Sequence, residues 1–287
     1  MKKNVRKSLN TRIPDAPRSI LKGSSLATLL DQEAIDCLVH NLTLVYPSFE
    51  GELFQKAVSE GLASLGILDR GNHLAKVMRQ YLPERFEDAV DILLASLTPP
   101  LTRTDDLGLK GFFYLPHVCF IAKYGLDKKD NGGHDPFEIS MKAQYELTRR
   151  FSAEFSMRVF LINRQKETLA RLLKWTHDPD PHVRRLCSEG ARPRLPWAIR
   201  IPAFIKNPEP VLPIIEALKD DSDLYVRRSV ANHLGDIAKD HPELVFEICD
   251  RWLEGASDER KWLIRHALRH PAKKGVKTAL KLRKLAA

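Results

Sequence analysis

Apolar residues fall three and four positions apart along nearly the whole chain from Leu26 onward, the spacing of one face of an α-helix. Ile35, Leu38, Val39, Leu42 and Val45 predict a helix from Asp31 to Tyr46, ended by Pro47. Phe54, Val58, Leu62 and Leu65 predict a second from Gly51 to Leu65. Leu74, Val77, Met78 and Tyr81 predict a third from Arg70 to Leu82, before Pro83. A fourth covers Phe86 to Leu97 and stops at Pro99-Pro100. Phe112, Phe113, Leu115, Phe120 and Ile121 predict a buried helix over 107–124, bent at Pro116, and the Gly132-Gly133 pair predicts an exposed loop over 127–135. One long helix is then expected from Pro136 to Ile162, its apolar line running through Leu147, Phe151, Phe155 and Ile162 with Glu154 at the margin. No sustained β-branched alternation interrupts the series, so the class is all-α.

The clearest element lies within 178–197, which reads as one short helix with marked ends. Asp180 is placed to accept the orphan amides of a first turn, and Pro181 suits the first helical position because it has no N–H to leave unpaired. Val183, Leu186, Cys187 and Gly190 form one packing face, while Arg185, Glu189 and Arg192 lie on another. Pro193 and Pro196 stop the helix and deliver Trp197 from an extended turn. The Asp-rich turn followed by Val-Arg-Arg recurs: Arg184-Arg185 and Arg227-Arg228 are 43 residues apart, and a weaker copy begins at Ser257. A helical period near 40 residues is the mark of HEAT-type repeats. The expected architecture is therefore a HEAT-like repeat solenoid, a curved right-handed superhelix of antiparallel helix pairs with a concave face. Residues 26–287 are expected to form one domain, preceded by a basic, flexible segment over 1–25.

Charge sharpens the picture. The net charge of +9 is concentrated at the two ends: residues 1–22 hold seven basic side chains against Asp15 alone, and residues 260–287 hold ten basic side chains and no acid. Such polarity suits a chain that meets a polyanion at particular places. Four scattered cysteines without a CxxC pair argue against a zinc or disulfide framework and fit a reducing compartment. No apolar run reaches the ~18 residues of a membrane span, and the basic N-terminus lacks the apolar core of a secretory signal.

Paired arginines at a helix N-terminus make a phosphate seat, and their repetition along one face would follow a nucleic-acid backbone. On this reading Arg184, Arg192, Arg227, Arg228, Asn232, Lys239, Lys261, Arg265, Lys273 and Lys274 are the candidate DNA contacts. The same Asp and Arg positions also cap and bridge repeats in solenoids that bind proteins. Carboxylates on such a face are the anomaly, because they repel phosphates. Glu154, Glu189 and Asp236 are the three candidates, each with a basic residue three or four positions away that supplies an ordinary helix-surface pair.

The run Arg185-x-x-x-Glu189-Gly190-x-Arg192-Pro193-x-x-Pro196-Trp197 resembles the AlkC-type DNA alkylation-repair glycosylases of the HEAT-like-repeat superfamily. Ser229 to Pro242, with Asn232, Asp236 and Lys239, is similar to the family's next repeat. Tyr46-Pro-Ser-Phe49 with Phe54, and Arg70 to Pro83, follow its N-terminal pattern. The resemblance spans about residues 20–285. It implies a monofunctional DNA glycosylase that removes cationic N3-alkylated bases, 3-methyladenine and 3-methylcytosine, from duplex DNA in base excision repair. It also implies that Glu154, Glu189, Asp236, Arg185 and Trp197 form the catalytic cluster. No cofactor or metal is implied; a monomer in the cytoplasm, associated with the nucleoid, is expected. Gly235 departs from the pattern, standing where the family often has Asn, and the chain matches the form without an immunoglobulin-like domain. The competing expectation is a HEAT-repeat module that binds DNA or protein without catalysis.

Overall fold

The computed structural model describes residues 10–105 and 108–287, and every regular element among them is a helix. Of the basic segment expected to be flexible, residues 1–9 lie outside the described residues. Residues 10–25 carry no helix, and the Asn41 side chain pairs with the Arg12 backbone, accepting from its N–H at 2.9 Å and donating to its carbonyl at 2.8 Å. The chain divides into two compact units, 1–152 and 153–287.

The first unit holds α1 (Gln32–Val45), α2 (Gly51–Ser59), α3 (Ile67–Tyr81), α4 (Phe86–Ala95), α5 (Leu115–Tyr124) and α6 (Phe137–Thr148). Asp31 caps α1 by accepting from the Ala34 amide at 3.2 Å. Helix α3 packs on α5, with Gly71 set so close to Leu115 that no side chain would fit between them. Phe86 stacks on Phe120 at 5.8 Å, and both are fully buried. Two sequence expectations change here, and the loop expected at 127–135 is exposed except at residues 130 and 131. The helix from Gly51 ends at Ser59, because Gly61 takes a left-handed φ of 78°. Pro116 does not bend a helix over 107–124; it sits in the first turn of α5, after a 3-10 turn at Lys110–Tyr114. The loop at 127–135 contains a buried anchor, Asn131, whose Oδ1 accepts from the Glu87 amide at 3.0 Å.

The long helix expected from 136 to 162 is two helices. Helix α6 stops at Thr148, and α7 (Glu154–Asn163) starts afresh in the second unit. Phe151 packs against Gly111 and Phe112, within the first unit. The buried line of α7 is accordingly Met157, Phe160 and Leu161, and Ile162, assigned to the apolar line from sequence, is 45% exposed. The break makes Glu154 the first residue of a helix, where a carboxylate meets the positive end of the backbone dipole.

The second unit continues with α8 (Gln165–Trp175), α9 (Pro181–Ala191), α10 (Pro202–Lys206), α11 (Leu212–Leu218), α12 (Leu224–Ile237), α13 (Pro242–Leu253), α14 (Asp258–Ala267), α15 (Arg269–Lys273) and α16 (Lys277–Leu285). The repeat is visible in its caps: Asp180 accepts from the His182 amide at 2.9 Å, Asp223 from Tyr225 at 2.8 Å, and Ser257 from Arg260 at 3.2 Å. Helices α7, α9, α12 and α14 pack side by side as one layer, and α8, α11, α13 and α16 form a second layer against it. His182 and Tyr225, equivalent positions of successive repeats, meet edge to face at 5.5 Å.

Two glycines show how tightly the first layer is packed. A Cβ on Gly190 would lie 3.0 Å from Met157 of α7, whereas one on Gly235 would lie 3.4 Å from the Ala267 carbonyl of α14, an ordinary contact. Gly190→Val should therefore overpack the α7–α9 seam and cost about 1–3 kcal/mol. Gly235→Ala should be neutral or stabilise by up to about 1 kcal/mol through helix propensity. Thermal unfolding of the two variants checks the contrast.

Candidate active site

Helix α9 brings Arg185 and Glu189 to one face one turn apart, and its last turn leads to Arg192 at the C-cap. Helix α7 contributes Glu154 from its first turn, and α12 contributes Ser229 and Asp236, two turns apart on one face. Because α9 packs between α7 and α12, these side chains converge. Arg185 Nη1 donates to Glu154 Oε2 at 2.9 Å, and Arg185 Nη2 lies 3.4 Å from Glu189 Oε1. Arg192 Nη1 donates to the same Glu189 oxygen at 2.6 Å, while its Nε and Nη2 both reach Asp236 Oδ2 at 2.8 Å. Lys239 Nζ completes the series on Asp236 Oδ1 at 2.8 Å. The result is a chain of alternating charge, Glu154–Arg185–Glu189–Arg192–Asp236–Lys239.

Every member but Lys239 is shielded: side-chain exposure is 14% for Glu154, 8% for Glu189 and 4% for Asp236. In such surroundings an ion pair is held by geometry, and deleting one partner strands a buried charge. Burial pushes the Glu189 carboxyl up, but Arg185, Arg192 and the Ser229 hydroxyl, which donates to Oε2 at 2.6 Å, together hold it below the usual carboxylate range. Burial likewise disfavours the Arg185 cation. The Tyr225 ring, 5.0 Å beneath the guanidinium, and the two glutamates outweigh that cost and raise it above the ordinary value.

Beneath this chain sits Arg158, fully buried on α7. Its Nε donates to the Ile199 carbonyl at 2.5 Å, Nη1 to those of Gly190 at 3.2 Å and Arg192 at 2.5 Å, and Nη2 to that of Pro193 at 3.3 Å. One guanidinium thus gathers the end of α9 and both arms of the turn that follows. Burial, reinforced by Arg192, draws its pKa down to about 10 despite Glu154, Asp236 and Glu189 nearby. At the tip of that turn Trp197 is 56% exposed and has φ 64°, the one positive φ at a non-glycine among the described residues. A bulky residue in that region is strained, and strain persists only where its surroundings enforce it.

Of the five expected catalytic residues, Glu154, Arg185, Glu189 and Asp236 come together with Arg192, and Trp197 stands on the turn beside them in sequence. The arginine pairs divide in their roles. Arg184 holds Asp221 with two nitrogens, at 2.6 and 3.0 Å, and the carbonyls of Asp178 and Pro179 at 2.9 and 3.0 Å. Arg227 donates to the Asp221 carbonyl at 2.5 Å. The first arginine of each pair therefore ties down its own Asp turn, while the second is Arg185 in the ion chain or Arg228, exposed on α12. Asn232 accepts from Arg269 Nη2 at 2.9 Å, and its Oδ1 lies 3.2 Å from His266 Nε2. Arg265 donates to the Ala286 carbonyl, Lys261 is half-buried on α14, and Lys273 and Lys274 are exposed at the end of α15.

Sequence reasoning missed Arg158, Tyr225 and Ser229 as parts of the site. Arg158 stands four residues after Glu154, the spacing of a surface pair, and the carbonyls it serves lie 32 to 41 residues further on. Tyr225 had one signal, its place immediately before Val-Arg-Arg, where the preceding repeat has His182.

A family model described as DNA alkylation repair enzyme matches residues 151–270, the stretch that contains the whole ion chain. YhaZ, an uncharacterized protein of Bacillus subtilis strain 168, is 38% identical over 260 residues, which cover 90% of this chain and 68% of that protein. The structure of the Pseudomonas fluorescens alkylpurine DNA glycosylase AlkC, bound to DNA containing an abasic site analog, matches with a TM-score of 0.80 at 37% identity. That match covers 91% of this chain and 68% of that one.

Two outcomes follow from the site. Arg158→Met should leave four carbonyls without their donor and destabilise the protein by about 3–5 kcal/mol, with Arg158→Lys recovering only part because it lacks the planar fork; denaturant unfolding measures both. Glu189, ionised more easily when folded than unfolded, contributes stability above its unfolded pKa of about 4.3 and loses it as pH falls through the lower folded value. Between pH 5 and 3 the melting temperature of the native protein should therefore fall more steeply than that of Glu189→Gln.

Proposed function

The chain belongs to the DNA alkylation repair enzyme family, in the company of AlkC, and we propose that it is a DNA glycosylase that excises cationic N3-alkylated bases from duplex DNA. The observation that carries this reading is the convergence of three carboxylates, interleaved with arginines, on adjacent helices of a basic protein. An adenine or cytosine alkylated at N3 already bears positive charge and leaves as a neutral base, so no general acid is required to protonate it. The barrier that remains is the positive charge developing on the deoxyribose as the glycosidic bond opens, the same charge met in other glycosyl transfers. A carboxylate fixed near C1′ stabilises that charge and orients the attacking water.

The geometry supports a division of labour. Glu189 is the hub: Oε1 meets Arg185 and Arg192, and Oε2 meets Ser229, so its role is to hold the two arginines in place. Glu154 and Asp236 flank it on either side: Glu154, the most exposed of the three at 14%, takes the sugar-facing role, and Asp236, held by Arg192 and Lys239, adds its negative charge from the other side. Trp197, presented by the Arg158-held turn, supplies an aromatic face that attracts a cationic base or sugar. The arginines hold the carboxylates in position, so little reorganisation is needed as charge develops. The products would be free base and an abasic site, with no covalent enzyme–sugar adduct, since no lysine is assigned a nucleophilic role.

Incubation with methylated duplex DNA under single-turnover conditions should release 3-methyladenine far above the spontaneous rate. Glu154→Gln and Asp236→Asn should each lower that rate by about 100-fold or more, the usual consequence of removing one electrostatic partner of a transition state. Binding of DNA without release would leave a damage-recognising module in place of an enzyme. Release that survives both substitutions would move the chemistry away from this cluster.

A further inference from the structure

Beyond the ion chain, the next helix of the layer bounds a cleft of about 290 Å³, lined by Trp262, Arg265, His266, Arg269 and Arg283. Trp262, Arg265, His266 and Arg269 recur at i, i+3, i+4 and i+7 along α14 into α15, and α16 closes the other side with Arg283. Three guanidiniums share this wall and no carboxylate does. The sequence itself has no acid from 260 to its end. Arg265 is anchored on the Ala286 carbonyl, and Arg269 on the His266 carbonyl at 2.6 Å and on Asn232 at 2.9 Å. An arginine has five N–H donors, so each anchored guanidinium keeps others for a ligand. Arg283 Nε is buried and finds no acceptor among the described residues.

Trp262 stacks on His266 with ring centroids 5.0 Å apart and an interplanar angle of 15°. Burial, followed by Arg269, Arg228 and His270, pulls His266 down to about 4, so at neutral pH it is an uncharged plate, with Nε2 beside Asn232 Oδ1. Asn232 stands one turn before Asp236 on α12, which sets the cleft beside the ion chain.

We propose that this cleft is a phosphate-binding subsite, in which Arg265, Arg269 and Arg283 hold a phosphodiester of the DNA strand and Trp262 flanks the adjoining sugar. The assignment rests on the reading of the chain as a DNA-acting enzyme. It adds a second point of attachment, one repeat along from the carboxylates, and this would offset the repulsion those carboxylates exert on the backbone. Arginine suits the task because its planar fork meets phosphate oxygens two at a time.

The test is the salt dependence of binding to undamaged duplex DNA, which needs no catalysis and is therefore independent of whether base release is observed. Removing one charge that neutralises a phosphate should lower the slope of log K against log salt by about 0.9. Arg283→Gln should lower the slope by about that amount and weaken affinity several-fold at low salt, while Arg283→Lys, which keeps the charge, should retain the slope. Arg251→Gln removes the same charge from the exposed side of α13 and should change the slope little. An unchanged slope in a folded Arg283→Gln protein, or an equal loss in Arg251→Gln, overturns the subsite. Titration with inorganic phosphate, followed by tryptophan fluorescence against Trp262→Phe, separates the two sources of a phosphate group. Saturation by phosphate alone with DNA affinity untouched by Arg283→Gln would make the ligand a small anion and overturn the DNA assignment.

Discussion

Arg158 is the constraint on which the site depends. A buried cation is costly unless its donors are satisfied, and this one is satisfied almost entirely by backbone, on Gly190, Arg192, Pro193 and Ile199. The consequence runs outward. Fixing the carbonyls at 190 and 192 fixes the exit of α9 and thus the root of Arg192, which in turn joins Glu189 to Asp236. Fixing those at 193 and 199 closes the turn that holds Trp197 in a conformation few residues accept. A carboxylate could not do this work, and a lysine would reach fewer carbonyls.

The ion chain is better understood as positioning than as stability. Buried ion pairs return little net free energy, because desolvating two charges offsets much of their attraction. What alternation provides is order. Each arginine is shared by two carboxylates and Glu189 by two arginines, so no member can shift without disturbing its neighbours. A transition state that develops positive charge is served by carboxylates that are already in place. With Arg158 nearby and Lys239 at the rim, the four cations of the cluster outnumber its three carboxylates, which lessens their repulsion of a phosphate backbone.

Much of this fold was legible in the sequence because its signals are local. Asp180, Asp223 and Ser257 cap their helices as their positions imply, and the 43-residue interval between the Val-Arg-Arg runs sets α9 beside α12. The convergence of Glu154, Arg185, Glu189 and Asp236 was legible only through resemblance, since no periodicity relates Glu154 to residues on two other helices. What escaped was long-range or carried by the backbone. The break after Thr148 follows from Phe151 packing on Gly111 and Phe112, about 40 residues earlier. Arg158 was unreadable because its partners are carbonyls, which every residue has.

The two arginines of each repeat separate structure from function within one dipeptide. Arg184 and Arg227 turn back onto the Asp-rich turns that precede them, and Arg184 reaches Asp221 of the following repeat as well. They align successive helices, and alignment brings Tyr225 under Arg185 and Ser229 against Glu189. Arg185, the very next residue, points from the same helix turn into the ion chain. A repeat whose structural arginine registers its neighbour, and whose adjacent arginine is thereby registered for chemistry, needs no separate scaffold for the site. The same logic extends to α14, where the third copy lacks the Val-Arg-Arg pair but places Trp262, Arg265 and His266 on one cleft. Stacking fixes the spacing between turns, and each repeat is then free to vary what it presents on the shared layer.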